Sequence, residues 1–226
     1  MVSLTEENYL KAIFSLAEQG EADRVSTNAI AARMQTAAAS VTDMLKRLHE
    51  KELVAYERYK GVSLTEQGEK LAKGMIRKHR LWEVFLVEKL DFPWDEVHEI
   101  AEQLEHIQSK ELVSRLDEFL GHPQYDPHGD PIPDAQGNMK RKHQLLLAQC
   151  EDGVTVICVG VLESSRSFLQ YLDQKNITIG SQIKILGREP FDGSMSIELD
   201  GKPLFVSEKI ANNLYVQMDQ SLSYDG

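Results

Sequence analysis

Cysteine is scarce in this sequence, with only Cys150 and Cys158 among 226 residues. Their spacing fits neither a CxxC metal-binding knuckle nor a disulfide framework. Free cysteines are among the most frequently buried residues of folded proteins. We therefore expect both to be structural, and we look for any metal site among other residue types.

Long hydrophobic runs are also absent. The longest apolar run surrounds Leu145–Ala148 and is far shorter than the roughly 20 residues that span a membrane. Residues 1–7 lack the basic start and apolar core of a secretion signal. These two absences predict a soluble, cytoplasmic protein.

An excess of positive charge, which nucleic-acid binders often show, is missing as well, because the formal net charge is −11. The charge is unevenly distributed, however. Residues 1–80 hold 13 Lys and Arg against 11 Asp and Glu, a net +2, so the remaining residues carry −13. An N-terminal unit could therefore contact phosphate while the rest of the chain stays acidic.

The N-terminal pattern predicts three helices with short turns between them. The first starts near Thr5 and ends at Gly20, and the second runs from Thr27, its predicted N-cap, to Met34. Apolar residues recur at helical spacing in the first and third helices. They are Leu10, Ile13, Phe14 and Ala17, then Val41, Leu45 and Leu48.

A two-stranded hairpin is predicted directly after the third helix. Residues 53–58 and 62–64 have strand character, and a turn containing Lys60 and Gly61 joins them. A hairpin with a basic tip beside a helix-turn-helix is typical of a winged helix. From Thr65, a long helix is expected to continue to about Leu90.

The winged helix predicts DNA binding, because the second helix of a helix-turn-helix lies in the major groove and flanking basic residues hold phosphates. The alternative is an ordinary three-helix bundle whose surface residues are merely solvated. The candidate DNA-binding residues are Thr27, Ala37, Ala39, Ser40, Thr42, Asp43, Arg47, Arg58 and Lys60.

Two further helices are predicted in the middle of the chain. One begins at Pro93 and continues through His106, and the other runs from its cap Ser109 to a stop at Gly121. Their apolar surface exceeds what one small domain buries, which favours a dimer interface. Residues 121–143 are rich in Pro and Gly and predict a linker.

The last third of the chain predicts short strands with one inserted helix, an arrangement typical of a small SH3-like barrel. The predicted strands cover residues 154–162, 182–186, 194–199 and 203–206, and Phe168, Leu169 and Leu172 mark the helix. The expected fold is mainly α. Its three units are a winged helix-turn-helix over residues 1–73, a helical dimerisation and metal-binding domain over 74–143 with a linker from about 121, and the barrel over 144–226.

Six potential metal ligands cluster on two of the predicted helices. His79 and Glu83 are four residues apart on the long helix and therefore share a face. The residues His98, Glu102, Glu105 and His106 fall on one stripe of the next predicted helix. Imidazole and carboxylate suit divalent Mn, Fe, Co, Ni and Zn, and a cation would relieve the repulsion among the carboxylates. No ligand role is assigned to His49, His122, His128 or His143.

The chain resembles the DtxR/MntR family of metal-dependent repressors, in the longer form that ends in a FeoA/SH3-like domain. The resemblance covers nearly the whole chain. It rests on residues 7–10, 30–34, 40–42, 77–81, 97–98, 104–106 and the Pro-rich stretch 127–133.

The resemblance implies two metal sites. One would use His79, Glu83 and His98, completed by a C-terminal residue, for which Glu163 and Ser164 are the candidates. The other would use Asn8, Glu102, Glu105 and His106. Manganese-responsive members typically have glutamate where this chain has Glu102, and iron-responsive members cysteine, so Mn(II) is expected. Manganese-responsive members commonly have aspartate where this chain has Asn8, so altered affinity or selectivity is expected at the second site.

The function predicted from the residues and the resemblance is a homodimeric transcriptional regulator, acting as a repressor, that binds operator DNA when Mn(II) is bound. Metal joining the first helix to the dimerisation unit would set the spacing of the two recognition helices. Alternatives are an Fe(II)-responsive regulator of the same family and a winged-helix regulator with a structural metal. More remote is a non-haem iron enzyme that uses His79, Glu83 and His98.

Overall fold

A computed structural model describes residues 2–19, 24–57, 60–140 and 145–219 of the chain. The predictions made for Gly20, Arg58 and His143 lie outside these ranges. Within them, no helix combines the length and the hydrophobicity that crossing a membrane requires.

The N-terminal unit has the predicted helix and strand order. Helices α1 (Leu4–Gln19), α2 (Thr27–Arg33) and α3 (Ala38–Glu50) precede an antiparallel hairpin of β1 (Val54–Glu57) and β2 (Gly61–Leu64). The periodic apolar residues predicted for α1 and α3 include Leu10, Ile13, Val41, Leu45 and Leu48, and these five are buried in one core.

One detail of this unit was predicted wrongly. Thr27 is not the N-cap of α2 but its first helical residue. The cap is Ser26, whose hydroxyl accepts a hydrogen bond from the backbone N–H of Ala29 at 3.1 Å. Both residue types favour the cap position, so the sequence alone does not separate these neighbours.

Helix α4 (Glu66–Leu90) connects the N-terminal unit to the central one. Thr65 caps it, and Glu66 and Glu69 lie in the first turn, where carboxylates favour the positive end of the helix dipole. Its 25 residues extend over about 37 Å at 1.5 Å per residue. The first half packs with α1 and the hairpin, and the second half forms a separate core with the helices that follow.

The next helix is shorter than predicted. Helix α5 spans Val97–Leu104 rather than continuing from Pro93 to His106. The carbonyl of Pro93 accepts from the N–H of Glu96, which makes a turn before the helix. At the other end Glu105 is the C-cap. Helix α6 (Lys110–Phe119) follows with Ser109 as its cap, as predicted.

Residues 123–134, predicted to belong to a linker, are packed against α4. Asp126, His128 and Ile132 in this segment are buried. Arg77 donates to the carbonyl of Pro133 at 2.7 Å, and Arg80 donates to the carbonyl of Pro131. The segment therefore carries buried side chains into the central unit, although its sequence has no helix or strand periodicity.

The C-terminal region contains a five-stranded antiparallel sheet in the order β6-β5-β4-β3-β7. Its strands are β3 (Thr155–Val161), β4 (Gln182–Arg188), β5 (Met195–Leu199), β6 (Lys202–Val206) and β7 (Leu214–Met218), with α7 (Arg166–Gln174) after β3 and α8 (Glu208–Ala211) before β7.

This sheet differs from the prediction in two ways. It is not closed into a barrel, because β6 and β7 are at opposite ends of the strand order. In addition, β7 and α8 were missed. Strand β7 has only five residues, of which Leu214 and Val216 are buried and the last two are exposed, so its alternation is short. The predicted helix containing Phe168, Leu169 and Leu172 is present, and all three are buried.

The C-terminal unit packs directly on the central helices. Trp94, before α5, donates its indole N–H to Asp173 of α7 at 2.9 Å. Nearby, Arg166 forms ion pairs with Asp95 and Glu96. These contacts hold α7 beside the start of α5, which carries one of the predicted metal ligands.

Gly68 provides a test of the packing between α4 and the chain before the wing. A Cβ at this position would lie 1.9 Å from the carbonyl oxygen of Leu53, whereas one at Gly74 in the same helix meets nothing within 4 Å. We expect Gly68→Ala to lower the free energy of unfolding by about 2 kcal/mol or more because backbone must shift. The matched change Gly74→Ala should raise it by up to about 1 kcal/mol, because alanine is the better helix former. Urea unfolding measures both, and equal effects would contradict the described packing.

Candidate metal centre and nucleic-acid interface

Glu83 is the centre of a buried polar cluster between α4 and α5. Only 2% of its surface is exposed. Its Oε1 lies 2.9 Å from Nε2 of His79, one helical turn away, and 3.3 Å from Nδ1 of His98 on α5. The two histidine nitrogens are themselves 3.1 Å apart. The structure thus brings together the three residues predicted as the first site.

The cluster has the donor set and convergence that a divalent cation needs. Two imidazole nitrogens and one carboxylate oxygen have ligand atoms within 4.8 Å of one another. Such a set suits first-row transition metals. On the far side of the ring, Nδ1 of His79 lies 2.6 Å from Oε2 of Glu105. With Nδ1–H donating to this carboxylate, Nε2 is the nitrogen turned toward Glu83, and a metal-binding histidine usually has a second-shell partner of this kind.

Two residues that the sequence did not suggest as ligands face the other side of Glu83. Asp126 and His128 form a second group with Glu83 whose ligand atoms also lie within 4.8 Å of one another. Nδ1 of His128 is 3.7 Å from Oε2 of Glu83. Because Nε2 of His128 lies 2.9 Å from the carbonyl oxygen of Trp94, it must be the donor there, and Nδ1 is the nitrogen that faces Glu83.

His128 was assigned no ligand role from the sequence, but the structure places its imidazole beside Glu83. It was missed because His128 belongs to a segment without periodicity, 45 residues along the chain from Glu83. The only available signal was the composition of the Pro-rich stretch itself. By contrast, His49 contacts the carbonyl of Val54 at 3.0 Å and His122 contacts Asp117 at 2.8 Å, both away from Glu83.

The four residues predicted as a second site do not converge in the same way. Oε2 of Glu105 accepts from the ammonium group of Lys11 at 2.7 Å as well as contacting His79. Oε1 of Glu102 lies 3.9 Å from the same ammonium group and 3.5 Å from Nε2 of His98. A lysine side chain from α1 thus stands beside the carboxylates that were expected to hold a metal.

His106 is turned toward α1, where its neighbour is Glu7 rather than Asn8. Nδ1 of His106 lies 3.1 Å from Oε2 of Glu7. The other carboxylate oxygen of Glu7 accepts from Gln108 at 3.3 Å. Asn8 is half-buried next to it in the chain. The helical stripe predicted for His106 ends with α5 at Leu104, so the residue projects from the following turn.

The C-terminal candidates lie at the end of β3. Glu163 accepts a hydrogen bond from the Ser165 hydroxyl within its own loop, and Ser164 is exposed. Among the described residues, neither belongs to the groups with convergent ligand atoms. The strand reaches the centre nonetheless, because the N–H of Val161 donates to the carbonyl of His128 at 2.9 Å.

The electrostatics of the centre are those of opposite charges held close together. Hydrogen bonding to Glu102, and then to Glu83, raises the pKa of His98 to about 9. The hydrogen bond from His98 in turn lowers the pKa of Glu102 to about 2. Burial works against the charged form of Glu83, but His79 and His128 outweigh it and hold the pKa of Glu83 well below its ordinary value. Burial beside Glu83 and Asp130 raises the pKa of Asp126 to about 7.

The candidate DNA-binding face is open at the start of α3. Ala37 is the N-cap and makes no side-chain cap hydrogen bond. The following residues Ala39, Ser40 and Asp43 are exposed, and Thr42 is half-buried with its hydroxyl donating to the carbonyl of Ala38 at 2.9 Å. Arg47 is exposed one turn further along. This arrangement is compatible with major-groove contact by a recognition helix.

A cleft of about 290 Å³ lies between the start of α2 and the wing. It is lined by Arg24, Ser26, Thr27, Asn28, Lys60 and Gly61. Lys60 is largely exposed and pairs with Glu57 at 2.8 Å. The buried Nη1 atom of Arg24 has no hydrogen-bond partner among the described residues. Arg24 was not among the predicted DNA contacts, and its Nη2 pairs with Glu57 at 2.7 Å.

Fold and site together define a class of protein, the winged-helix regulators with a metal centre in the helices behind the DNA-binding unit. The chain matches three family profiles. They are the N-terminal DNA-binding domain of the iron-dependent repressors over residues 1–62, their metal-binding and dimerisation domain over residues 65–134, and the FeoA domain over residues 145–218. The chain belongs to the DtxR family of metal-dependent repressors, and the predicted resemblance is confirmed.

Several relatives show how far the similarity extends. A solved structure described as a manganese-dependent transcriptional repressor in complex with manganese has 36% identity and a TM-score of 0.84, covering 94% of this chain and 99% of the other. The manganese regulator SloR has 35% identity and a TM-score of 0.75, covering 95% and 98%. The diphtheria toxin repressor of Corynebacterium diphtheriae is 27% identical over 94% of this chain and 96% of its own.

Similarity to an iron-dependent relative is more local. The iron-dependent repressor IdeR of Mycobacterium tuberculosis is 36% identical over 129 residues, which are 57% of this chain. The matched segment spans 55% of the length of that relative.

Metal binding at the Glu83 cluster should release protons. Near pH 7, His98 is protonated in the metal-free protein because its pKa is raised to about 9, and an imidazole must be neutral to ligate. Metal affinity should therefore increase as the pH rises toward 9. Calorimetric titration with Mn(II) in two buffers of different ionisation enthalpy measures the released protons.

Two variants calibrate this measurement. His98→Ala should release fewer protons, whereas His122→Ala, at an exposed histidine paired with Asp117 outside the cluster, should leave the number unchanged. Binding enthalpies that are the same in both buffers for the unchanged protein would contradict the assignment of His98 as a protonated ligand.

Proposed function

We propose that this protein is a homodimeric transcriptional repressor that binds operator DNA when its helical unit is loaded with Mn(II). The observation that carries the proposal is the buried Glu83 carboxylate, which faces His79, His98 and His128 behind a winged helix. A cluster of this kind has no evident role in DNA contact itself. It is suited to sensing the ion and transmitting its presence to the recognition helices.

The choice of Mn(II) rests on the ligand chemistry. Every candidate ligand in the described part of the central unit offers oxygen or imidazole nitrogen, and Glu102 stands where a sulfur ligand would favour softer metals. The relatives described as manganese regulators cover nearly the whole chain. Fe(II) is the second candidate, because the same donor set accepts it and because of the iron-dependent relative.

The first metal site is proposed to use His79, Glu83 and His98, with Asp126 and His128 as further ligands on the other side of Glu83. Glu163 is the C-terminal candidate, since β3 passes His128 two residues before it. This arrangement would attach the C-terminal unit to the metal centre. The proposed second site uses Glu102, Glu105 and His106, together with Glu7 or Asn8 from α1.

Coupling to DNA follows from the elements that carry these ligands. Glu7 and Asn8 lie on α1 of the DNA-binding unit, whereas Glu105 and His106 follow α5 of the central unit. A cation that joins them fixes the orientation of one unit relative to the other. In a symmetric dimer, two recognition helices must lie about 34 Å apart to enter successive major grooves, so a fixed orientation favours binding.

The proposed dimer face lies on the helices of the central unit. Leu90, Leu112 and Phe119 are exposed on α4 and α6, and Phe119 is 65% exposed. Phe119 lies beside the half-buried Phe85, at 6.4 Å between ring centroids. Apolar side chains grouped in this way commonly mark a protein interface. The family profile that matches this region is described as a metal-binding and dimerisation domain.

His106→Ala tests whether the second site transmits the signal. We expect Mn(II) to increase the operator affinity of the unchanged protein, and the variant to lose this response while remaining a dimer. Footprinting on the promoter region of its own gene, with sedimentation for the oligomeric state, measures both. His122→Ala, outside both clusters and outside the DNA-binding unit, is the control. If the variant dissociates into monomers, His106 has a structural role. If metal does not change the operator affinity of the unchanged protein, the proposed function is wrong.

Lys60→Ala tests the wing. We expect weaker binding to all DNA sequences, because a contact to phosphate carries no base information. The slope of log K against log salt concentration should become shallower by about 0.9 for each wing that loses a contact. Lys209→Ala, an exposed lysine in the C-terminal unit, is the matched control and should leave the slope unchanged. An unchanged slope in the Lys60 variant would exclude Lys60 from the phosphate contacts.

A further inference from the structure

We propose that Lys11 is the resident cation of the second metal site, and that a divalent ion must displace its ammonium group in order to bind there. The inference rests on the proposed function in placing a metal at Glu102, Glu105 and His106. It adds a residue of α1 that opposes metal binding and thereby sets the concentration at which the protein responds.

The contacts of Lys11 support this role. Its Nζ lies 2.7 Å from Oε2 of Glu105, and 3.9 Å from Oε1 of Glu102. It is also 3.1 Å from Nδ1 of His79. The carboxylate of Glu105 is almost completely buried, with 1% of its side-chain surface exposed. A buried carboxylate requires a cationic or hydrogen-bonding partner, and Lys11 supplies one without any metal.

The same geometry prevents an ammonium group and a metal ion from sharing the site. A divalent ion held by oxygen atoms of Glu102 and Glu105 would lie within about 2.2 Å of each, in the space that Nζ now borders. Two cations so close would repel strongly beside the buried carboxylate of Glu105. The long, flexible side chain of lysine permits a different solution, in which Nζ moves away and the metal takes over its oxygen atoms.

Displacement has a thermodynamic consequence. If the carboxylates are available to metal only in the fraction of molecules whose Lys11 has moved, the apparent dissociation constant rises by the inverse of that fraction. The residue therefore acts as a built-in competitor. Because Lys11 is on α1, exchange of ammonium for metal also replaces one link between the DNA-binding and central units by another.

Replacing Lys11 by a neutral residue should tighten metal binding. We expect Lys11→Met to lower the dissociation constant of the second site for Mn(II) at least tenfold, measured by calorimetry on the full chain. A His98→Ala background weakens the first cluster, so that the titration reports the second. Lys51→Met is the matched control, because Lys51 also pairs with a buried carboxylate, that of Glu6 at 2.6 Å, outside both clusters. An affinity that is unchanged or weaker in Lys11→Met would overturn the proposal.

A second measurement does not depend on the variant folding. The amine of Lys11 is largely shielded, with 17% of the side-chain surface exposed. Its acylation rate in the unchanged protein, followed by mass spectrometry, should rise severalfold when Mn(II) is added, and that of Lys51 should not change. A Lys11 acylation rate that does not change when Mn(II) is added would contradict displacement. Both readouts are made without DNA, so they stand apart from the test of metal-dependent operator binding.

Discussion

The attraction between the buried Glu83 carboxylate and the imidazoles around it is the interaction on which the central unit depends. Glu83 on α4 faces His79 and His98 on one side and His128 on the other. A carboxylate with 2% exposure would be costly without such partners. The contacts that satisfy the Glu83 carboxylate hold α4, α5 and the segment 123–134 together. The groups that stabilise the metal-free protein are therefore the groups that would bind the ion.

The length of α4 connects this centre to the DNA-binding unit. Its first half contributes Ala72 and Ile76 to the core of the winged helix, and its second half contributes Leu81 and Leu86 to the core of the central helices. His79 lies between these two sets. A change in the packing around His79 would therefore affect residues next to both cores. Lys11 and Glu7 connect the same region to α1, through contacts with His79 and His106.

Much of this could be predicted from local pattern, and the rest depends on contacts distant in sequence. The winged helix followed from apolar spacing and turn residues, and the pair His79 and Glu83 from their separation by one helical turn. Asp126 and His128 could not be found in this way, because a segment without periodicity does not indicate which side chains point inward. The open sheet and its last strand were likewise beyond local pattern, since pairing of β7 with β3 joins residues about 60 positions apart.

His106 and Lys11 show a different limit. The helical stripe that grouped His106 with Glu102 assumed a helix through position 106, but α5 ends at Leu104 and the side chain turns to Glu7. Lys11 is a charged residue on an otherwise ordinary amphipathic helix. Only the packing of α1 against the residues after α5 shows that its ammonium group reaches Glu105. Family resemblance names ligand positions, but it does not show which neighbouring cation competes for them.

The central claim, that ion binding at Glu83 controls operator affinity, is tested most directly by comparing Glu83→Gln with the unchanged protein. Glutamine keeps the shape of the side chain and removes its charge. Operator affinity is measured by titration with DNA, with and without Mn(II), and with a chelator to reverse the effect. We expect metal to strengthen DNA binding by the unchanged protein and Glu83→Gln to retain only its metal-free affinity. A full metal response in Glu83→Gln would contradict it.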